Sequence, residues 1–354
     1  MSNLERDPAE LVIAGPASVL TASPAADAAG PVLLLLPRDV PLGGPRALTV
    51  RRTLPQRGRS TVGAWCFIDH YGPDEVVDDP AAATRRGMVV PPHPHTGLQT
   101  VSWLFEGEIE HRDSTGSLAP VLPGELNLMT AGRGISHSEV STPGTRVLHG
   151  VQLWLALPEE HRHQAPHFEH HEVPQTPLGG GATVRVFIGR LGGPDPDTGA
   201  GPTGPAPSTA LVYSPVLGAQ VDLPAGATLD LDLDPAFEHG VLVDRGPVLV
   251  EGVTVARSEL GFLEAGRSSI RLENHTRHPA RVLLLGGEPF PEKLVMWWNF
   301  IGRSHEEVAA WRAEWQSEVI AGADAVGRFG TVADYPGPAL PAPELPTVRL
   351  KPRA

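Results

Sequence analysis

Along most of the chain the apolar positions come in short runs, alternating with polar residues or unbroken over a few positions. Clusters of Gly, Pro, Asn and Asp cut each run from the next. Ala47-Leu-Thr-Val50, Thr100-Val-Ser-Trp-Leu-Phe105 and Leu148-His-Gly-Val-Gln-Leu-Trp-Leu155 are such runs. Short strands separated by frequent turn signals predict an all-β fold, an antiparallel sandwich or barrel, over residues 31–185. The same texture returns over 210–300, where Leu229-Asp-Leu-Asp-Leu233 alternates with period two and Val241–Val250 and Arg281–Leu285 follow. It predicts a second β-barrel domain of similar build. Between the two, residues 186–209 form a Gly/Pro-rich loop whose core, Gly192–Pro207, is unable to form helix or strand. Residues 1–30 are rich in Ala, Pro and Ser without a sustained period and read as a flexible extension. Helix enters only in the C-terminal helix and tail, 301–354. There Ser304-His-Glu-Glu307 has the form of a capping box, and Val308, Trp311, Trp315 and Val319 follow at helical spacing. The stripe is read as core, packed on a barrel exterior.

Composition narrows the function classes. The 354 residues hold 28 Lys+Arg against 41 Asp+Glu, a net charge of −13, which disfavours direct binding of a phosphate backbone. The densest basic stretch, Arg46 to Arg59, reads as a solvated strand edge. Cys66 is the only cysteine, so an intramolecular disulfide and a Cys-rich zinc site are excluded, and its apolar neighbours predict an inert buried thiol. The apolar run Val32–Leu36 is too short to span a membrane and lacks the flanks of a signal peptide. A cytoplasmic protein with no membrane partner is expected.

The candidate chemistry lies in two motifs, His93-Pro-His95 and His137-Ser-Glu139. Residues two apart on a strand share a face, so each motif presents two ligands to one side. If their strands are neighbours, His93, His95, His137 and Glu139 converge on one interior point, a donor set suited to a first-row divalent metal. Pro94 stiffens the strand, and Gly132 and Gly134 permit the turn that delivers His137. A metal also offsets the cost of burying the Glu139 carboxylate. Other polar residues receive plainer readings. His111 and Asp113 are assigned to a strand-end turn in preference to lining the lumen, Arg133 to turn stabilisation in preference to positioning a substrate, and Gln152 either to the pocket or to a core hydrogen bond. The cluster His161, His163, His167, His170 and His171 is read as a solvated loop. His239 stands alone and is read as a satisfied side chain, and His275 and His278 lie in a polar turn.

The joint pattern resembles the pirin family of the cupin superfamily. The most specific stretches are His93–Ser114 and Met129-Thr-Ala-Gly-Arg-Gly-Ile-Ser-His-Ser-Glu139, supported by Pro37-Arg-Asp39, Asp69-His70, Leu148–Leu155, Leu283-Leu-Leu-Gly-Gly-Glu-Pro289 and Arg328-Phe-Gly330. The resemblance runs from about Leu34 to Val332. It implies two cupin (jelly-roll) domains, with one metal, usually iron, in the first and none in the second. The ligands it carries over are His93, His95, His137 and Glu139. General cupins often place a Glu four residues after the second His. That position is Gln99 here, so Glu139 supplies the carboxylate. The resemblance further implies an Fe(II)-dependent dioxygenase of the quercetinase type acting on a flavonol or related enol or phenol; on chemical grounds Glu139 is the candidate proton acceptor if it detaches from the metal. Another divalent first-row metal is the alternative cofactor. The alternative function is an iron-binding, redox-sensitive regulatory protein acting through protein partners.

Overall fold

The structure, a computed structural model, describes residues 30–41, 48–76, 78–79, 84–85, 87–192, 204–324 and 326–353. The expected N-terminal extension, apart from residue 30, and residues 193–203 of the Gly/Pro-rich loop lie outside them. Alternation of apolar and polar positions builds two domains, each a pair of facing antiparallel sheets rather than a closed barrel. In the first, a seven-stranded sheet containing Trp65–Glu75, Leu98–Glu106, Glu125–Thr130 and Val147–Ala156 faces a four-stranded sheet containing Val89–His95, Ile109–Asp113 and Ile135–Ser141. In the second, a seven-stranded sheet containing Val216–Leu223, Glu238–Arg245, Leu260–Leu263 and Ala280–Gly287 faces a four-stranded one. This is the jelly-roll pair that the sequence predicts.

The strands cross the boundaries read from the sequence. Leu33–Leu35 pairs with Leu260–Leu263, and Thr183–Gly189 pairs with Val216–Leu223, so both belong to the second domain's sheet. The loop therefore begins after Gly189 rather than at 186. Local texture marks a strand but carries no record of its partner, so the sheet a strand joins depends on pairing between distant segments.

Each large sheet is buried on both faces. In the first domain Val101, Trp103, Val151, Leu153 and Leu155 point outward and pack on Phe187, Leu242, Phe262, Leu283 and Leu285 of the second. The two large sheets thus meet back to back, and Trp103 stacks on Phe187 with ring centroids 4.7 Å apart. The alternate positions of these strands point inward. Leu98, Cys66, Phe67, Met129, Ile135 and Trp154 fill one end of the first domain, and Val40, Val50, Tyr71, Val90, Leu104 and Leu148 the other. Polar residues occupy the space between.

The basic stretch is not a solvated edge. Thr49–Leu54 is a strand in which Arg52 is wholly buried, paired with Asp69 at 2.7 and 2.9 Å and lying over the Phe67 ring. Burial here is set by the sheet stacked against the strand, which a charge count along the chain does not register.

The helix His305–Trp315 starts at Ser304, whose hydroxyl accepts from the Glu307 N–H, while the Glu307 carboxylate accepts from the Arg303 N–H. Val308, Trp311 and Trp315 are buried against the hairpin Val295–Trp297/Phe300–Gly302 and against Phe329. That hairpin joins the first domain through Phe300, bridged to Thr96, directly after His95. Beyond the helix, the Leu340 N–H donates to the Pro92 carbonyl on the open edge of the His-Pro-His strand.

Candidate metal centre

The strand Ile135–Ser141 lies at the centre of the site. On one side it pairs with Val89–His95, with His137 opposite His93 and Ile135 opposite His95. The register slips between His137 and Glu139, so that Glu139 stands opposite Val90. Pro91 and Pro92 lie in the slipped stretch and have no N–H to give the ladder, which favours a bulge there. On the other side the strand pairs with Ile109–Asp113, placing Glu139 opposite His111 and His137 opposite Asp113. The turn into the central strand needs Gly132. Its φ is +52°, and a Cβ would fall 2.2 Å from the Gln164 carbonyl oxygen.

All four predicted ligands come together, each with no measurable solvent exposure. His95 Nε2 lies 3.1 Å from His137 Nε2, and the His93 ring centroid is 5.0 Å from His95 and 4.4 Å from His137. Potential donor atoms of His93, His95 and His137 form one close group, and those of His111, His137 and Glu139 another, with His137 common to both. Two nitrogens facing each other at 3.1 Å with lone pairs free to point between them suit a cation. His93 fits the same reading. Its Nδ1–H donates to the Pro91 carbonyl at 2.9 Å, which leaves Nε2 buried and without a hydrogen-bond partner. Burial pushes the His93 imidazole down to about 3 and, together with the neighbouring imidazoles, lowers His95 and His137 well below the usual histidine range. Neutral imidazole is the ligating form.

Several surrounding groups depart from their sequence readings. His111 is not in a turn. It is buried on a central part of its strand, with Nε2 3.1 Å from Asp113 Oδ2 and Nδ1 3.4 Å from His137 Nδ1. Asp113 does serve the turn, through Oδ1 and the Thr115 and Ser117 N–H groups, but its other oxygen faces the site. Ser102, unremarked in the sequence, donates to Glu139 Oε1 at 3.1 Å and also lies 2.9 Å from the Gln152 side-chain amide. Gln152 thus makes a buried hydrogen bond beside Glu139, its Oε1 accepting from Ser102. Period-two alternation in Thr100-Val-Ser102 was the available signal. Tyr71 is buried with its hydroxyl unpartnered, and burial together with the Glu139 charge pushes its pKa well above the usual phenol range. Gln99 turns the other way, donating to Thr130 Oγ1 and the Leu211 carbonyl. Cys66 is buried and its thiol pushed up by burial, as expected of an inert group.

The histidine cluster is only partly loop. His167–Glu172 is an edge strand paired with Glu125–Thr130, where His170 lies 2.6 Å from Asn127 Oδ1. Arg133 is exposed, and its N–H donates to the Gln164 carbonyl within the turn. His239 is buried, and burial lowers it to about 4 against the opposing influence of Asp234 and the Phe237 backbone. A further group, His70, His149 and Asp244, spans the two domains. Both Nε2–H groups donate to Asp244 Oδ1, at 2.9 and 2.5 Å, while Ser258 donates to His70 Nδ1 at 2.9 Å. Arg281 lies 3.4 Å from Oδ2. Here every donor has its acceptor and a guanidinium supplies the positive charge, so the group is accounted for as a clasp between domains.

Comparison with known proteins agrees with this architecture. A family model described as Pirin matches residues 47–155, and one described as Pirin C-terminal cupin domain matches residues 218–320. The chain is 43% identical over 309 residues to a Pseudomonas aeruginosa protein named "Putative quercetin 2,3-dioxygenase", with 87% of this chain and 89% of the relative covered. It is 36% identical to a pirin-like protein of Caulobacter vibrioides, covering 76% of this chain and 88% of that one. A crystal structure of quercetin 2,3-dioxygenase from Acinetobacter baumannii superposes with a TM-score of 0.77 at 33% identity, covering 91% of this chain and 97% of the other.

Proposed function

The chain belongs to the pirin family, and on that premise we propose that it is a metal-dependent dioxygenase of the quercetin 2,3-dioxygenase type, acting on a flavonol or a related enol or phenol. The observation that carries this reading is the convergence of three buried imidazoles beside the buried Glu139 carboxylate. Iron(II), held by His93, His95, His137 and Glu139, would supply Lewis acidity and redox chemistry at this point.

The chain's own residues have definable tasks. The Pro91 carbonyl fixes the His93 tautomer so that Nε2 is the ligating atom. Ser102 orients the Glu139 carboxylate by donating to Oε1. Glu139, once detached from the metal, would accept the proton of a substrate hydroxyl. The Phe67–Trp154 stack, with Leu98, Met129 and Ile135, keeps the surroundings apolar and excludes water.

Protein loaded anaerobically with Fe(II) and then mixed with quercetin and oxygen should consume oxygen stoichiometrically with substrate. Elemental analysis of the purified protein should find about one metal per chain. A rate no higher than that of His95→Ala would overturn the dioxygenase reading. A chain that takes up no metal would overturn the site itself.

A further inference from the structure

We propose that Asp113 and His111 form a positioning relay that sets the tautomer of His137 and so prepares it to bind metal. The relay rests on the reading of His93, His95, His137 and Glu139 as ligands, and it assigns functions to two residues that touch no metal.

The argument follows protons atom by atom. Asp113 is anchored by Oδ1, which accepts from the Thr115 N–H at 2.8 Å, the Thr115 hydroxyl at 2.6 Å and the Ser117 N–H at 3.2 Å. Its Oδ2 is left to face His111 Nε2 at 3.1 Å. A carboxylate is an acceptor only, so His111 carries its proton on Nε2. In a neutral imidazole the other nitrogen is then bare, and His111 Nδ1 becomes an acceptor. The group opposite it, 3.4 Å away, is His137 Nδ1, which therefore holds a proton. With Nδ1 protonated, His137 Nε2 is a lone pair, and this is the atom that faces His95 Nε2 at 3.1 Å. The tautomer demanded at one end is thus the tautomer a ligand needs at the other.

Two further features hold the relay in place. The His111 ring stacks on Phe168, with centroids 4.5 Å apart and an angle of 19° between the planes, which opposes rotation of the imidazole. The strand register sets His111 opposite Glu139 and Asp113 opposite His137, so both act across one pair of strands. Although His111, His137 and Glu139 offer three donors close together, both nitrogens of His111 already have partners. His111 is thereby a positioning residue and not a ligand.

The test uses full-length protein loaded with Co(II), with affinity measured by chelator competition, and the zinc-loaded protein for histidine tautomers by long-range nitrogen-15 NMR. Asp113→Asn and His111→Phe should weaken Co(II) binding about 10- to 100-fold, the range found for outer partners of metal-bound histidines. His111→Gln, whose Oε1 accepts from His137 Nδ1–H, should recover most of the loss. Wild-type His137 should carry its proton on Nδ1. If His111→Phe fails to fold, Asp113→Asn and His111→Gln make the comparison. Equal losses in His111→Gln and His111→Phe, affinity unchanged in Asp113→Asn, or His137 bound through Nδ1 would each overturn the relay. Wild-type protein that takes up no Co(II) would overturn the metal-site reading and the relay with it.

Discussion

His93 shows what burial does to a single residue of this site. Its imidazole is pushed down to about 3 by desolvation, and His95 and His137 are lowered in the same direction. In the unfolded chain each would take a proton below about pH 6.5. A folded-state value below the unfolded one gives stability that is present above the unfolded value and lost as pH falls towards the folded one. The metal-free protein should therefore lose stability steadily between about pH 6.5 and pH 4, as read by urea denaturation at successive pH values. His93→Gln, which removes one such group, should show a shallower decline. A wild-type midpoint that stays flat over this window would contradict the buried neutral imidazoles. Ser102 illustrates the opposite limit of legibility: a small polar residue in an apolar strand, whose role appears only once Glu139 is seen beside it.

At the scale of elements, the central strand Ile135–Ser141 is delivered by one tight turn, and the ligands inherit its accuracy. Gly132 adopts a left-handed conformation and approaches the Gln164 carbonyl so closely that a methyl group has no room. Gly132→Ala should destabilise the protein by about 1–3 kcal/mol, the usual range for a strained backbone position, and should weaken metal binding because His137 is displaced. Thermal denaturation and metal titration of the variant check both parts; wild-type values in both would show that the turn yields easily. The slipped register at Pro91 and Pro92 follows from missing N–H groups and was readable in principle. Its consequence, Glu139 opposite Val90 and His111, was not, because register is a relation between strands.

For the whole molecule, the decisive contact is between the backs of the two large sheets. It buries Trp65, Trp103, Phe187 and Phe262, and it encloses the His70–Asp244–His149 clasp. Asp244 is held well below the usual carboxylate range by its two histidines, despite burial. Asp244→Asn keeps the shape but removes the charge that Arg281 faces, and should cost about 3 kcal/mol, as expected when one partner of a buried charged group is lost. Urea unfolding followed by tryptophan fluorescence reads this directly, and an unchanged midpoint would mean that the clasp contributes nothing. Since the clasp joins strands of both domains, the variant should also separate their unfolding into two steps.

What the sequence determined by itself was local. Period-two alternation predicted strands, the i, i+2 spacing of each motif placed its two ligands on one face, and Ser304 with Glu307 marked the start of the helix. These depend on the geometry of one segment, which neighbouring residues set. Only the tertiary structure decided which strands became neighbours. It moved Leu33–Leu35 into the second domain's sheet, turned His111 towards His137 and Asp113 towards His111, buried Arg52 against Asp69, and joined His70 and His149 to Asp244. Each of those outcomes depends on pairing or packing between segments distant in the chain, where alternation says which face a residue occupies but not what stands opposite it.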